Sequence, residues 1–176
     1  QWGLTRKPGE SFSNFIERIG TTLNESQDLA DSDLNPEGAR ELNKWVKVHS
    51  DKYYFSISAE QTYRDSKTGH YLPHPFMNPL FYISSTYIGS FSQAKPGMVT
   101  VNSDWWENDG LVPTNSMQGP NTDPIVQFAA GPRKGKWNHL GTMNSFDHLD
   151  LIGLGVRDMR KWYRTLAELF ASLPAS

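Results

Sequence analysis

The 176-residue sequence contains no cysteine. That removes disulfides and thiol nucleophiles from its chemistry but leaves the compartment open, since some secreted proteins use none. No run approaches the roughly 18 apolar residues that a membrane-spanning helix needs. Basic charge is also sparse. Lys and Arg number 17 against 19 Asp and Glu, giving a formal net charge of −2 and a pI near 6.2. The one short basic cluster, Arg133, Lys134 and Lys136, is too small to serve a polyanion, which argues against nucleic acid. The chain opens at Gln1 with no initiator Met and no charged-then-apolar signal segment, a start that suits a processed, secreted or truncated product. No internal repeat or low-complexity segment stands out. A G-x-S-x-G nucleophile elbow is missing too. The nearest string, Gly9-Glu10-Ser11-Phe12-Ser13, lacks the last glycine and follows Lys7-Pro8 with no strand before it, so Ser11 reads as a helix cap.

What the sequence does contain is ordinary for a globular chain: 37% apolar residues and 14 glycines, in a length that fits one domain or part of one. Phe12, Phe15, Ile16 and Ile19 recur at helical spacing after Ser11, and Gly20 supplies a stop. A second helix is signalled by Asn35 as cap and Pro36 at the first helical position, with Ala39, Leu42, Trp45 and Val46 forming one apolar stripe to near His49. Tyr53-Tyr54-Phe55-Ser56-Ile57-Ser58 follows with the aromatic and β-branched content of a strand, so the pair reads as an αβ unit. A short helix is expected around Leu80 to Tyr87. The segment from Arg157 to Leu173 carries Met159, Trp162, Tyr163, Leu166, Leu169 and Phe170 at helical spacing and should close the fold.

The most informative feature is a pair of tracts, Trp106-Glu107-Asn108-Asp109-Gly110-Leu111-Val112 and Phe146-Asp147-His148-Leu149-Asp150. An acid followed later by a histidine is the back half of the order Ser, acid, His in an α/β-hydrolase triad. Taken singly, Asp109 before Gly110 is equally a turn residue, and His148 a capped or surface histidine. The wider sequence decides between these readings. Gln1-Trp2-Gly3-Leu4, Pro8-Gly9-Glu10-Ser11-Phe12, Gly38-Ala39 with Leu42-Asn43, Tyr53-Tyr54, Thr62-Tyr63-Arg64, Glu107-Asn108-Asp109-Gly110, Lys134-Gly135 with Trp137-Asn138, and Asp147-His148-Leu149 occur in that order. In them the chain resembles the C-terminal part, rather less than half, of the secreted lipases of the staphylococcal and Geobacillus type. The resemblance runs nearly end to end.

That resemblance implies the C-terminal portion of a three-layer αβα α/β-hydrolase fold with a mostly parallel sheet, residues 1–176 forming part of one lipase domain. The nucleophile elbow and lid would lie upstream of Gln1. It implies Asp109 as triad acid and His148 as base, a secreted carboxylic ester hydrolase acting on triacylglycerols, and interfacial contact with lipid. Alone, the 176 residues would be inactive. The chemistry asks for these residue types: an imidazole takes the serine proton and returns it to the leaving alcohol, while a carboxylate fixes its tautomer.

Two metals enter by the same route. Zinc in the family is held by two aspartates and two histidines, and the one ligand falling in this chain is Asp28, within the acidic stretch Glu25 to Asp33. His70 and His74, four apart, make no alternative helix site, because Pro73 and Pro75 interrupt them. Calcium in the family is held near the catalytic histidine by an acid two residues on, matched by Asp150, by a backbone carbonyl, matched by Phe76, and by a second acid. Gly155 stands where that second carboxylate is expected, so calcium affinity should fall unless Asp158 folds back to replace it.

Remaining signals are minor. Gly153-Leu154-Gly155 lacks the third glycine of a dinucleotide fingerprint and reads as a turn, and Asn24-Glu25-Ser26 is a sequon that matters only in a eukaryotic secretory setting. Trp105 and Trp106, beside the triad acid, would pack the core or wall an acyl pocket. The competing functional reading is a non-catalytic lipid- or partner-binding fragment in which Asp109 and His148 are relics.

Overall fold

The computed structural model describes residues 7–11, 14, 15, 18, 35–120, 122–129 and 131–174. Two compact units divide the chain, Gln1–Trp45 and Val46–Ser176. In the first, the Ser11 hydroxyl accepts the Asn14 N–H at 3.1 Å and its carbonyl accepts the Phe15 N–H at 3.0 Å, so Ser11 caps a helical turn. The rest of that expected helix lies largely outside the described residues, and Asp28 lies wholly outside them. Helix α1, Pro36–Leu42, begins as the sequence implies, with the Asn35 side chain accepting the Gly38 N–H at 2.8 Å and Pro at the first position. It stops earlier than the apolar stripe suggested. Lys44 and Trp45 donate three residues back, to Glu41 and Leu42, tightening the end into a turn. Trp45 therefore leaves the stripe and is 74% exposed.

The second unit is built on a parallel sheet of order β1-β5-β4, with β1 at Tyr54–Glu60, β4 at Ile125–Gln127 and β5 at Trp137–Asn144. A small antiparallel hairpin, β2 (Thr62–Arg64) and β3 (Tyr71–Pro73), follows β1. A 3-10 turn at Pro79–Phe81 leads into α2, Tyr82–Ile88, and the short helix α3, His148–Leu151, follows β5. The closing helix α4 spans Arg160–Ala171, three residues later than its apolar spacing suggests. The cause is local: the Arg157 N–H is taken by the Asp150 carboxylate, and Asp158 accepts the Arg160 N–H at 3.0 Å, so regular turns begin only there.

Aromatic packing joins α4 to the sheet, with the Phe55 ring 5.3 Å from Phe170 and 6.4 Å from Phe128. Tyr54, on the other face of β1, lies 5.5 Å from Trp137. The most deeply buried positions of β1 are small ones, Ser58 and Ala59, next to a register shift between Ser56 and Ser58. From Ser58 a side-chain chain crosses the sheet: its hydroxyl meets His139 Nε2 at 3.0 Å, and His139 Nδ1 meets Gln127 Oε1 at 3.2 Å. Among the described residues the buried set is dominated by polar groups near the carboxyl ends of β1 and β5, including Gln61, Asn108, Asp109, Asp147 and Asp150. Leu80 and Ile83, by contrast, are exposed on the 79–88 segment.

Candidate active site

Loops at the carboxyl ends of parallel strands are where α/β sheets place ligands, and both sequence-marked tracts lie there. Asn108 anchors the first. Its carbonyl accepts the Gln61 N–H just beyond β1 at 3.0 Å, and its buried amide donates to the carbonyls of Ser85 (3.2 Å) and Trp106 (2.9 Å) while accepting the Gly110 N–H (2.9 Å). Asp109 then makes its own turn, Oδ1 accepting the N–H groups of Leu111 at 3.0 Å and Val112 at 2.8 Å. Gly110 sits at φ +105°, and a Cβ there would lie 2.6 Å from Phe81 Cβ, so only glycine satisfies both the conformation and the space.

The second loop leaves β5 through Ser145, a non-glycine residue at φ +65°. It is pinned to the end of β1, because Ser145 and Phe146 both donate to the Glu60 carbonyl, at 2.8 and 3.2 Å. Arg157 braces it from outside, one guanidinium nitrogen donating to the Ser145 carbonyl at 3.2 Å and the group lying over the Phe146 ring. Asp147 caps α3 in a reciprocal capping box with Asp150.

The two loops meet at the expected pair. His148 Nδ1 lies 2.8 Å from Asp109 Oδ2, and the His148 N–H donates to the Asp109 carbonyl at 3.0 Å. The Asp109 side chain is 1% exposed and that of His148 is 35% exposed. A carboxylate accepts only, so in the neutral imidazole Nδ1 carries the proton and Nε2 is left as the acceptor. Nε2 makes no hydrogen bond among the described residues. Phe81 stands edge-on to the imidazole at 6.4 Å, between the ring and the Gly110 turn. Such a histidine, oriented on one side and open on the other, can take a proton from a hydroxyl presented to it.

Asp150 and Phe76, expected near calcium, are placed less favourably, and Asp28 lies outside the described residues. Among the described residues no group of three or more His, Asp or Glu is placed to hold an ion. His70 stands edge-on to Trp106, and His74 Nδ1 accepts the Phe76 N–H. Phe76 precedes Asn78, whose N–H bonds Asp147, so this segment does reach the Asp147–Asp150 turn. The Asp150 carboxylate, however, already accepts a main-chain N–H on each oxygen, from Asp147 and Arg157, and Gly155 brings no second carboxylate to the six to eight oxygens that calcium takes. Asp158 does not fold back: it forks onto Arg160 at 2.7 and 2.9 Å, which lowers its pKa to about 2. The donor set therefore does not fit calcium. Trp106 is a packing anchor, its indole N–H donating to the Phe91 carbonyl at 2.7 Å.

Asn108, Gln61, Asp147 and Arg157 hold this site without a role expected from the sequence. Only Asp147 carried a usable signal, as the first residue of an Asp-x-x-Asp capping box.

A parallel sheet with this acid and histidine on its carboxyl-end loops defines a portion of an α/β-hydrolase. The chain belongs to the family described as Lipase-like, C-terminal domain, whose sequence pattern matches residues 1–175. EstA from Clostridium botulinum superposes over 100% of this chain and 42% of its own, with a TM-score of 0.88 and 35% identity. Lipase 1 from Pelosinus fermentans superposes over 99% of this chain and 47% of its own, with a TM-score of 0.79 and 37% identity. Lipase 1 of Staphylococcus aureus (strain NCTC 8325 / PS 47) is 29% identical over 170 residues, 96% of this chain. The chain spans 23% of that relative's length.

Proposed function

We propose that this chain supplies the acid and the general base of a serine-type carboxylic ester hydrolase acting on lipid esters, with triacylglycerols as the natural class. The observation that carries the reading is the 2.8 Å contact between buried Asp109 and half-exposed His148, which leaves Nε2 open. A serine hydroxyl at Nε2 attacks the ester carbonyl while His148 takes its proton. His148 then protonates the leaving alcohol, and water, deprotonated by the same nitrogen, cleaves the acyl-enzyme. Asp109 holds the tautomer and stabilises the imidazolium. The serine is a residue of a segment upstream of these 176 residues, a reading supported by the chain's covering only 42% of EstA and 47% of the Pelosinus lipase. Secretion and contact with a lipid surface follow from the same kinship. No helix among the described residues is long and apolar enough to cross a membrane.

The test is turnover of short-chain and triacylglycerol esters by the complete protein and by its His148→Ala form. Loss by about 10⁵ to 10⁶ in kcat is expected, the scale on which a triad histidine acts. Activity retained by a folded His148→Ala protein would overturn the assignment, as would robust hydrolysis by residues 1–176 alone.

A further inference from the structure

Among the described residues two buried acids remain that the proton transfer does not use. Asp147 is 4% exposed and Asp150 1% exposed, and carboxylates buried so deeply persist only when their oxygens are matched by donors. Here each of the four oxygens accepts one main-chain N–H. Asp147 takes Asp150 at 3.0 Å and Asn78 at 2.9 Å, while Asp150 takes Asp147 at 3.3 Å and Arg157 at 3.0 Å. The donors come from three stretches of chain: the approach to α2, the first turn of α3 and the approach to α4. The turn between α3 and α4 is closed again by Leu154 and Gly155, whose N–H groups converge on the Leu149 carbonyl at 2.9 and 2.8 Å.

Gly155 lies against the same carboxylate. A Cβ at that position would collide with Asp150 Oδ1 and sit 2.6 Å from the Asp150 nitrogen and 2.7 Å from its Cα, which are backbone and cannot swing away. Glycine is required there for room. Gly153, two residues earlier, is at φ +75° and would meet nothing within 4 Å, so its requirement is conformational only.

We propose that Asp147 and Asp150 form a metal-independent latch that positions His148, the N–H groups of Asn78, Asp147, Asp150 and Arg157 supplying the positive partners. The proposal rests on the reading of His148 as general base. A cation seeking six to eight oxygens would have to displace the Arg157 N–H and open the 149–157 turn, so calcium has no favourable entry. Asp147 and Asp150 act through the backbone of α3 and are positioning residues: they set where the imidazole stands, and touch no reacting atom.

The experiment uses the complete protein, with calcium chloride and a calcium chelator as the two arms. Melting temperature and kcat of the unsubstituted protein are expected to coincide in both. A rise of about 4 °C or more in millimolar calcium would overturn the latch, because an ion bound to the native state alone raises the melting temperature on that scale. Asp150→Asn keeps an acceptor for Arg157 but turns an amide N–H toward the Asp147 N–H. It is expected to lower kcat about 10- to 100-fold with KM unchanged, as a displacement of about 1 Å at a catalytic group does. Gly155→Ala should lower kcat in the same way, and Gly153→Ala should not. The second readout is the downfield proton magnetic resonance of His148 Nδ1–H, which should broaden or shift in Asp150→Asn and Gly155→Ala while the remaining amide spectrum is kept. Full kcat and an unmoved Nδ1 proton in both would overturn the proposal. Should Asp150→Asn fail to fold, Gly155→Ala and the calcium arms decide. These melting and resonance readouts need no turnover, so they separate failure of the latch from failure of the catalytic assignment, which His148→Ala reads.

Discussion

The loop that carries Asp109 and the loop that carries His148 meet the same demand, a fixed main chain at the carboxyl edge of a sheet, with opposite chemistry. The Asp109 loop is held by a neutral amide: Asn108 gives two N–H bonds and takes one, while Asp109 spends one oxygen on its own turn. The His148 loop is held chiefly by two anions that only accept, and the donors to their four oxygens are all main chain. An amide can both give and take and therefore bridges carbonyl-rich surroundings. A carboxylate gathers N–H groups, and two of them gather four. The acid of the pair is thus set through one neighbouring amide, which itself reaches Gln61 and Ser85, whereas the histidine is set through two carboxylates that gather N–H groups from three stretches of chain.

The comparison breaks most visibly at the contact between the loops. Asp109→Asn in the complete protein should lower kcat by about 10⁴, by analogy with the serine-protease triad, since an amide no longer selects the Nδ1-protonated ring. Steady-state kinetics check it, and a loss under tenfold would mean that the loops need not meet through this carboxylate. Next in size is Asn108→Leu, which strands the buried N–H of Gly110 and the carbonyl of Trp106 and leaves the Ser85 carbonyl with the Gly89 N–H as its remaining donor. Stability should fall by about 3 kcal/mol in urea unfolding. A change below about 1 kcal/mol would show that the amide bridge does not hold the Asp109 loop.

A smaller effect is expected within the Gln1–Trp45 unit. Asn35→Ala removes the cap of α1 and should cost about 1 kcal/mol with kcat unchanged. If kcat fell as well, the site could not be described by its two loops alone. The smallest effect is one of pH. Burial holds the His139 imidazole below its ordinary pKa of 6.5. The unfolded chain therefore takes up a proton that the native state resists. Its contribution is complete above that ordinary value and is lost as pH falls from there through the lower, folded pKa. Urea midpoints measured between pH 7.5 and 5.5 should decline less steeply in His139→Gln than in the unsubstituted protein. Equal slopes would remove His139 from the account.

Much of the architecture could be read from the sequence because it rests on local signals. Asn35-Pro36 started α1 where it stands, aromatic and β-branched content marked β1, helical spacing marked α4, and the short helix expected around Leu80 to Tyr87 is α2. The errors fell at ends, where tertiary hydrogen bonds override periodicity. Trp45 and Val46 continued a helical stripe that the i, i+3 bonds of residues 44 and 45 had already closed, and Arg157 lost its place in α4 to Asp150. Of the site, Asp109 and His148 came from motif order and family resemblance, and the structure brings them within a hydrogen bond. Their supports were not legible, for a physical reason. Asn108 acts through its burial and Arg157 through a carbonyl twelve residues away, and neither leaves a periodic trace. Asp150 was legible only as an acid at a given spacing. What that acid binds depends on how closely Gly155 approaches it, which no linear pattern encodes.

The Ser58–His139–Gln127 chain across the sheet bears on how the strands find one another. Strand β4 offers only three residues to β5, and a ladder that short, made of uniform backbone groups, accepts a sliding partner almost as readily as the correct one. Side chains alternate faces, so a slip of one residue would carry Gln127 away from His139 and leave an imidazole nitrogen buried against nothing. Mispairing is thereby penalised at a single point, the last residue of the strand. Seen this way, a polar triplet that takes no part in chemistry works as a key cut to one alignment, and the chain can afford a very short strand because that key discriminates for it.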